Sequence, residues 1–166
     1  MFTDHDIFWM QYALTLAKKA AQQGDVPVGA VLVLHEQVIG EGYNAATTQH
    51  DPTAHAEILA LRAGAEKVGN YRLLNTTLYT TLEPCMMCAG ALVHARIQKL
   101  IYGAADLKAG VIMSRMQLLE QSFLNHQIQY QGGLLATVCG TLLTQFFQAK
   151  RLKHSKSLLF ENGSDY

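Results

Sequence analysis

Two short stretches constrain this chain more than anything else in it: His55-Ala56-Glu57, and Pro84-Cys85-Met86-Met87-Cys88 about thirty residues later. An imidazole, two thiols at i and i+3 and a nearby carboxylate are the parts of a catalytic zinc site. Zinc takes thiolate and neutral imidazole, and a catalytic ion typically keeps three protein ligands and an open fourth position. His55, Cys85 and Cys88 supply the three, so a fold that uses them must bring residue 55 against residues 85 and 88. Read alone, Cys-x-x-Cys also fits a thioredoxin-like redox turn, but that reading leaves His55 and Glu57 without a purpose.

Helix geometry limits how the two stretches can meet. Residues i and i+2 in mid-helix point about 200° apart, so His55 and Glu57 face one site only if it lies off a helix end. Asp51-Pro52-Thr53 supplies such an end just upstream. Pro84 opens another helix with both cysteines in its first turn, where unpaired amides and the helix dipole favour thiolate. Two helix starts then converge on one ion above the ends of sheet strands. Glu57 is the candidate proton carrier, since a carboxylate beside an activated water can take its proton and hand it on. Glu83 is read as a side chain bonded to backbone at the turn before the helix, and Cys139, in an apolar helical stretch, as a core thiol.

The remaining elements follow from periodicity. Ile7, Met10, Ala13, Leu14 and Ala17 mark a first helix from Asp6 to Gln23, stopped by Gly24. The runs 28–34 and 38–43 read as an antiparallel hairpin. Ile58, Leu61, Ala65 and Val68 mark a second helix, Thr77 to Thr81 a third strand, residues 84 to 95 a third helix and Lys99 to Gly103 a fourth strand. That β-α-β-α-β alternation from Val38 argues for a layered α/β sheet with parallel pairs joined by crossovers. A loop with a short helix near 116–119 follows, then a fifth strand at 128–131. A basic C-terminal helix over about 134–156 carries Leu142, Leu143, Phe146 and Phe147 on its apolar side. Residues 1–166 form one domain, with no repeat or linker.

Composition narrows the class. Thirteen basic and thirteen acidic residues cancel, so net charge names no nucleic-acid or membrane partner, but Lys150, Arg151, Lys153 and Lys156 crowd the C-terminal end. Three cysteines make no disulfide framework, and no basic-then-apolar leader follows Met1, so a reducing, cytoplasmic setting is expected. No apolar run reaches the ~20 residues of a membrane span. A content of 49% hydrophobic residues is high for this size and leaves apolar surface for a subunit interface.

The motifs resemble those of the zinc nucleobase deaminases, whose signature is H-x-E…P-C-x-x-C. Asp25-Val-Pro-Val-Gly-Ala-Val31, Asp51-Pro-Thr-Ala-His-Ala-Glu-Ile58, Asn70-Tyr-Arg-Leu73, Thr81-Leu-Glu-Pro-Cys85 and Gly103-Ala-Ala-Asp-Leu-Lys-Ala-Gly110 look more narrowly like the bacterial tRNA-specific adenosine deaminases. The resemblance implies a three-layer α-β-α sandwich with a mixed five-stranded, cytidine-deaminase-like sheet. It also implies one Zn2+ per subunit on His55, Cys85 and Cys88, with Glu57 catalytic. The activity would be hydrolytic conversion of adenosine to inosine at the wobble position of a tRNA anticodon, by a homodimer. By the same resemblance Asn44 contacts the flipped base, the Ala56 backbone lies against it, Val28 lines the pocket and Asp106 sits near the nucleotide backbone. Turn, core and loop-cap roles compete for Asn44, Val28 and Asp106 respectively. Lys108, Phe147, Lys150, Arg151, Lys153, His154 and Lys156 are candidate RNA contacts. A guanine or cytosine deaminase shares the Asp-Pro-Thr-Ala-His-Ala-Glu run, and a catalytically silent zinc module is the reading outside the enzymes. The zero net charge and the apolar run 111–116 depart from what an RNA enzyme suggests.

Overall fold

The computed structural model of the chain describes residues 1–161, and side-chain surroundings as far as residue 153. Helix α1 spans Asp4–Gln22, two residues earlier than its apolar spacing implies, because Thr3 caps it. The Thr3 hydroxyl accepts from the Asp6 amide at 3.1 Å and the Asp6 carboxylate accepts from the Thr3 amide at 2.9 Å, a capping box with Asp in the place of Glu. The hairpin is present as β1 (Gly29–Leu34) and β2 (Gln37–Tyr43). A four-residue helix, α2 (Ala46–Gln49), follows; no periodicity announces so short a turn. Helix α3 (Ala56–Val68), β3 (Thr77–Leu82), α4 (Met86–Ala95) and β4 (Lys99–Ala104) come next. The short helix expected near 116–119 is a 3-10 turn at Leu118–Glu120, followed by β5 (Gln129–Gly132) and α5 (Ala136–Glu161).

The five strands lie in the order β2-β1-β3-β4-β5. β1 is antiparallel to both β2 and β3, whereas β3-β4 and β4-β5 are parallel. One crossover therefore differs from the simplest reading of the alternation. β2 and β3 point the same way but are not neighbours, because the hairpin leaves β1 between them and α3 must carry the chain over it. Ala30, Leu32, Leu78, Leu100 and Tyr102 pack with Ala56, Ala60, Leu61, Ala89 and Leu92 on the face covered by α3 and α4. Val31, Val33, Tyr79 and Ile101 pack with Met10, Ala13, Leu14, Leu134 and Cys139 on the face covered by α1 and α5. The period-2 alternation of the strands thus feeds two cores, and the fold is a three-layer α-β-α sandwich.

Close contact between β2 and α3 fixes the site's height above the sheet. A Cβ on Gly42 would lie 2.0 Å from the Ala56 carbonyl oxygen, and one on Gly40 2.1 Å from that of Ala60. Bare backbone is required there, so the two glycines of β2 are what let α3 settle onto it.

Candidate metal centre and active site

Both ligand-bearing segments end in a helix start. His55 is the N-cap of α3, with extended φ −81° and ψ 152°, and its ring makes no capping bond to that helix. Cys85 is the N-cap of α4, with φ −77° and ψ 175°, so the helix begins two residues after Pro84 and only Cys88 lies inside the first turn. The extended backbone at His55 removes the 200° conflict: its imidazole leaves the helix axis while Glu57, two residues on, sits in the first turn. His55 Nδ1 lies 3.6 Å from Cys85 Sγ and 3.6 Å from Cys88 Sγ. All three ligand atoms fall within 4.8 Å of one another, the one such cluster among the described residues.

The donor set fits a cation. The Cys85 thiol is drawn down to about 4, first by its hydrogen bond with Cys88 and then by His55, against the effect of burial. Cys88 moves the opposite way, held protonated by that same bond to Cys85, by burial and by the nearby Glu57 charge. Without a cation the pair can carry one negative charge but resists a second; an ion among the three ligands removes that conflict and allows both thiolates. Glu57 is 3% exposed, and its Oε2 has no hydrogen-bond partner. Burial pushes its pKa up to about 7, partly opposed by a backbone hydrogen bond and by His55. A carboxyl with that pKa, one oxygen free, beside a metal site is suited to take and give a proton near neutral pH.

Surrounding residues position these groups. Asn44 Oδ1 accepts from the Ala56 amide at 2.9 Å and so supplies the cap that His55 withholds from α3. Asp51 accepts from the Thr53 amide and hydroxyl at 2.8 and 2.7 Å, shaping the approach to His55. Asp25, buried and not foreseen as a site residue, accepts from the Thr47 and Thr48 amides at 2.7 and 3.2 Å and anchors α2 between Asn44 and His55. Val28 is buried and belongs to the main core cluster. Asp106 Oδ1 caps its own loop, accepting from Lys108 and Ala109 amides at 3.0 and 3.2 Å. Glu83 is bonded to backbone as expected, but its partners lie in the distant 106–114 loop rather than in its own turn.

Next to Cys85 a cavity of about 380 Å³ is lined by Met86, Met87, Lys108, Val111, Arg115 and Met116. Arg115 had no motif to mark it; only the folding of the loop over α4 brings it here. The C-terminal candidates lie apart from this cluster on α5. Phe147 is 43% exposed, Lys150 Nζ sits 5.0 Å from the Phe146 ring centre, and Lys150, Arg151 and Lys153 are exposed. The side chains of His154 and Lys156 lie outside the described residues. Cys139 is a core thiol, raised to about 11 by burial.

Fold and site together define a deaminase: the MafB19-like deaminase family matches residues 3–151. A tRNA-specific adenosine deaminase of Haemophilus influenzae is 51% identical over 160 residues, covering 95% of this chain and 92% of that protein. The Bacillus subtilis protein of the same name is 42% identical over 148 residues, covering 89% and 92%. A structure from a study of A-to-I editing by tRNA:A34 deaminases at the wobble position of transfer RNA superposes with a TM-score of 0.80. It is 40% identical, and the match covers 82% of this chain and 99% of that one. A protein solved with 8-azaguanine is more distant, at 26% identity, a TM-score of 0.72 and 85% and 83% coverage. The chain belongs to the tRNA-specific adenosine deaminase family.

Proposed function

We propose that this chain is a zinc-dependent tRNA adenosine deaminase that hydrolyses adenosine to inosine at the wobble position of an anticodon. The observation that carries the mechanism is the buried, unpartnered Glu57 Oε2 beside the His55, Cys85 and Cys88 ligand cluster. Those three residues would hold the ion, which supplies the Lewis acidity that makes a water molecule nucleophilic near neutral pH. Glu57 Oε2 accepts the proton of that water and delivers it to the purine ring nitrogen as the water oxygen bonds to the amine-bearing carbon. It then takes the proton of the new hydroxyl and passes it to the amine, so that the C–N bond breaks, C=O forms and ammonia leaves. Asn44 spends its oxygen on Ala56, which leaves its NH2 for an acceptor on the base. Ala56, its N–H taken by Asn44 and its side chain fully buried, offers the base no hydrogen bond, and Val28 backs the apolar side.

A base reaches such a pocket only when splayed from its stack, as an anticodon loop allows. Asp106 and Lys108 stand on the loop beside the cavity at Cys85, and Phe147, Lys150, Arg151 and Lys153 line the outer part of α5 as candidate phosphate and stacking contacts. Pairing into a homodimer is supported by an apolar cleft of about 380 Å³ between the two site helices, lined by Ile58, Leu61, Leu73, Ala91 and Ala95. A tRNA substrate fits a cytoplasmic protein, and among the described residues no helix is long and apolar enough to cross a membrane. The test offers purified protein an anticodon stem-loop with adenosine at the wobble position, alongside free adenine, guanine and cytosine. Inosine in the stem-loop alone is expected. Turnover of a free base with an untouched stem-loop would overturn the assignment.

A further inference from the structure

The geometry points to Glu83 as a positioning residue that sets the substrate-side loop, and hence the KM for RNA; this rests on the function proposed above. Glu83 is 2% exposed, and it is not among the three clustered ligand residues. Instead the 106–114 segment is wrapped around it. Oε2 accepts from the Asp106 amide at 3.0 Å and from the Ser114 hydroxyl. Oε1 accepts from the amides of Ile112, Met113 and Ser114 at 3.0, 2.7 and 2.9 Å. This loop has no ladder of its own to hold it. Two further ties run to the same strand end: Val111 donates to the Pro84 carbonyl at 3.0 Å, and Gly110 bridges to Cys85. Gly110 touches the carboxylate so closely that a Cβ there would lie 2.5 Å from Glu83 Cδ.

A local turn would need none of this. Four backbone N–H groups and a hydroxyl converging on one buried carboxylate fix the ends of a segment that carries Asp106 and Lys108 and walls the cavity beside Cys85. Glu83 itself precedes the Pro84-Cys85 pair, so the same residue ties loop and ligand segment together. A carboxamide cannot reproduce the arrangement, because its NH2 end would face a backbone N–H, of Asp106 on one side or of Ile112, Met113 and Ser114 on the other, that can only donate.

The test measures stem-loop deamination and amide hydrogen exchange in the zinc-loaded full chain. Glu83→Gln is expected to raise KM about tenfold or more, since bonds to a charged acceptor are lost. kcat should stay within about threefold, because the reacting groups are untouched. Zinc content should be unchanged and exchange faster across 106–114. Glu83→Asp, which keeps the charge, should recover part of both losses, and Ser114→Ala should give a smaller KM shift in the same direction. A residue that merely supports folding would lower kcat and zinc content together with KM unmoved, and that pattern overturns the inference, as does unaltered exchange in the loop. If Glu83→Gln does not fold, Ser114→Ala with unchanged KM and exchange overturns it as well. A wild-type protein that leaves the stem-loop intact overturns the proposed function and, with it, the role in KM; a wild type that edits while the variants match it overturns this inference alone.

Discussion

At the scale of single residues, Glu57 carries an unusual burden. Burying a carboxylate with one oxygen unpartnered costs free energy that an ordinary core would avoid, and its pKa near 7 is the return on that cost. Glu57→Gln should therefore keep the fold and the metal but lower deamination by about 10²–10⁴-fold; full activity in a metal-loaded Glu57→Gln protein would remove it from the mechanism. Cys88→Ser should abolish metal binding at equimolar zinc, because one hard oxygen replaces one of two thiolates. Metal analysis after gel filtration checks this, with one zinc per chain retained as the contrary result. That residues 55, 85 and 88 gather at one point was legible in the sequence, because their donor types and spacing suit a single cation. Glu83 was legible as a backbone-bonded carboxylate but not as one tied to the 106–114 loop, and neither the Asp25 anchor of α2 nor the place of Arg115 beside the cavity could be read, since only the folded chain brings these groups near.

Helix starts carry the site at the next scale up. α3 has its N-cap side chain turned to the metal cluster, so Asn44, twelve residues upstream at the end of β2, caps it instead. This allows capping and substrate contact to be separated. Asn44→Asp keeps an oxygen for the Ala56 amide and should leave thermal stability near wild type while losing activity. Asn44→Ala should lose activity and also about 1 kcal/mol of stability. Equal activity in wild type and Asn44→Asp would confine this residue to its helix. Gly42 works from the strand side. Gly42→Ala forces a methyl against the Ala56 carbonyl and should cost about 1–3 kcal/mol, with weaker zinc retention because His55 moves with the start of α3. Periodicity revealed the helices and strands themselves. The position of β1 between β2 and β3 was not readable from it, because alternation gives order along the chain but not which strands are neighbours.

For the whole molecule, the two layers of helices divide the work. α3 and α4 supply the metal cluster, whereas α1 is locked to the opposite face through Asp6, whose carboxylate accepts from the Tyr79 hydroxyl on β3 at 2.9 Å. Burial raises the Asp6 pKa, but the bonds from Thr3 and Tyr79 outweigh it and leave it below the usual carboxylate range. A depressed folded pKa stabilises the protein above the unfolded aspartate pKa of about 4 and loses that contribution as pH falls through the lower folded value. Urea midpoints should thus show Asp6→Asn less stable than wild type at pH 7, with the gap narrowing toward pH 3; a gap independent of pH would contradict the linkage. This sandwich holds two helix starts against one group of three ligand residues, His55, Cys85 and Cys88, which under the function proposed above would hold zinc with its fourth position left to water. Zinc-edge X-ray absorption of the loaded protein tests it most directly. Two sulfurs at about 2.3 Å and two nitrogen or oxygen neighbours at about 2.0–2.1 Å are expected, with one of the light atoms exchangeable for a small anion. Four protein ligands with no exchangeable position, or a zinc shell lacking the two sulfurs, would contradict it.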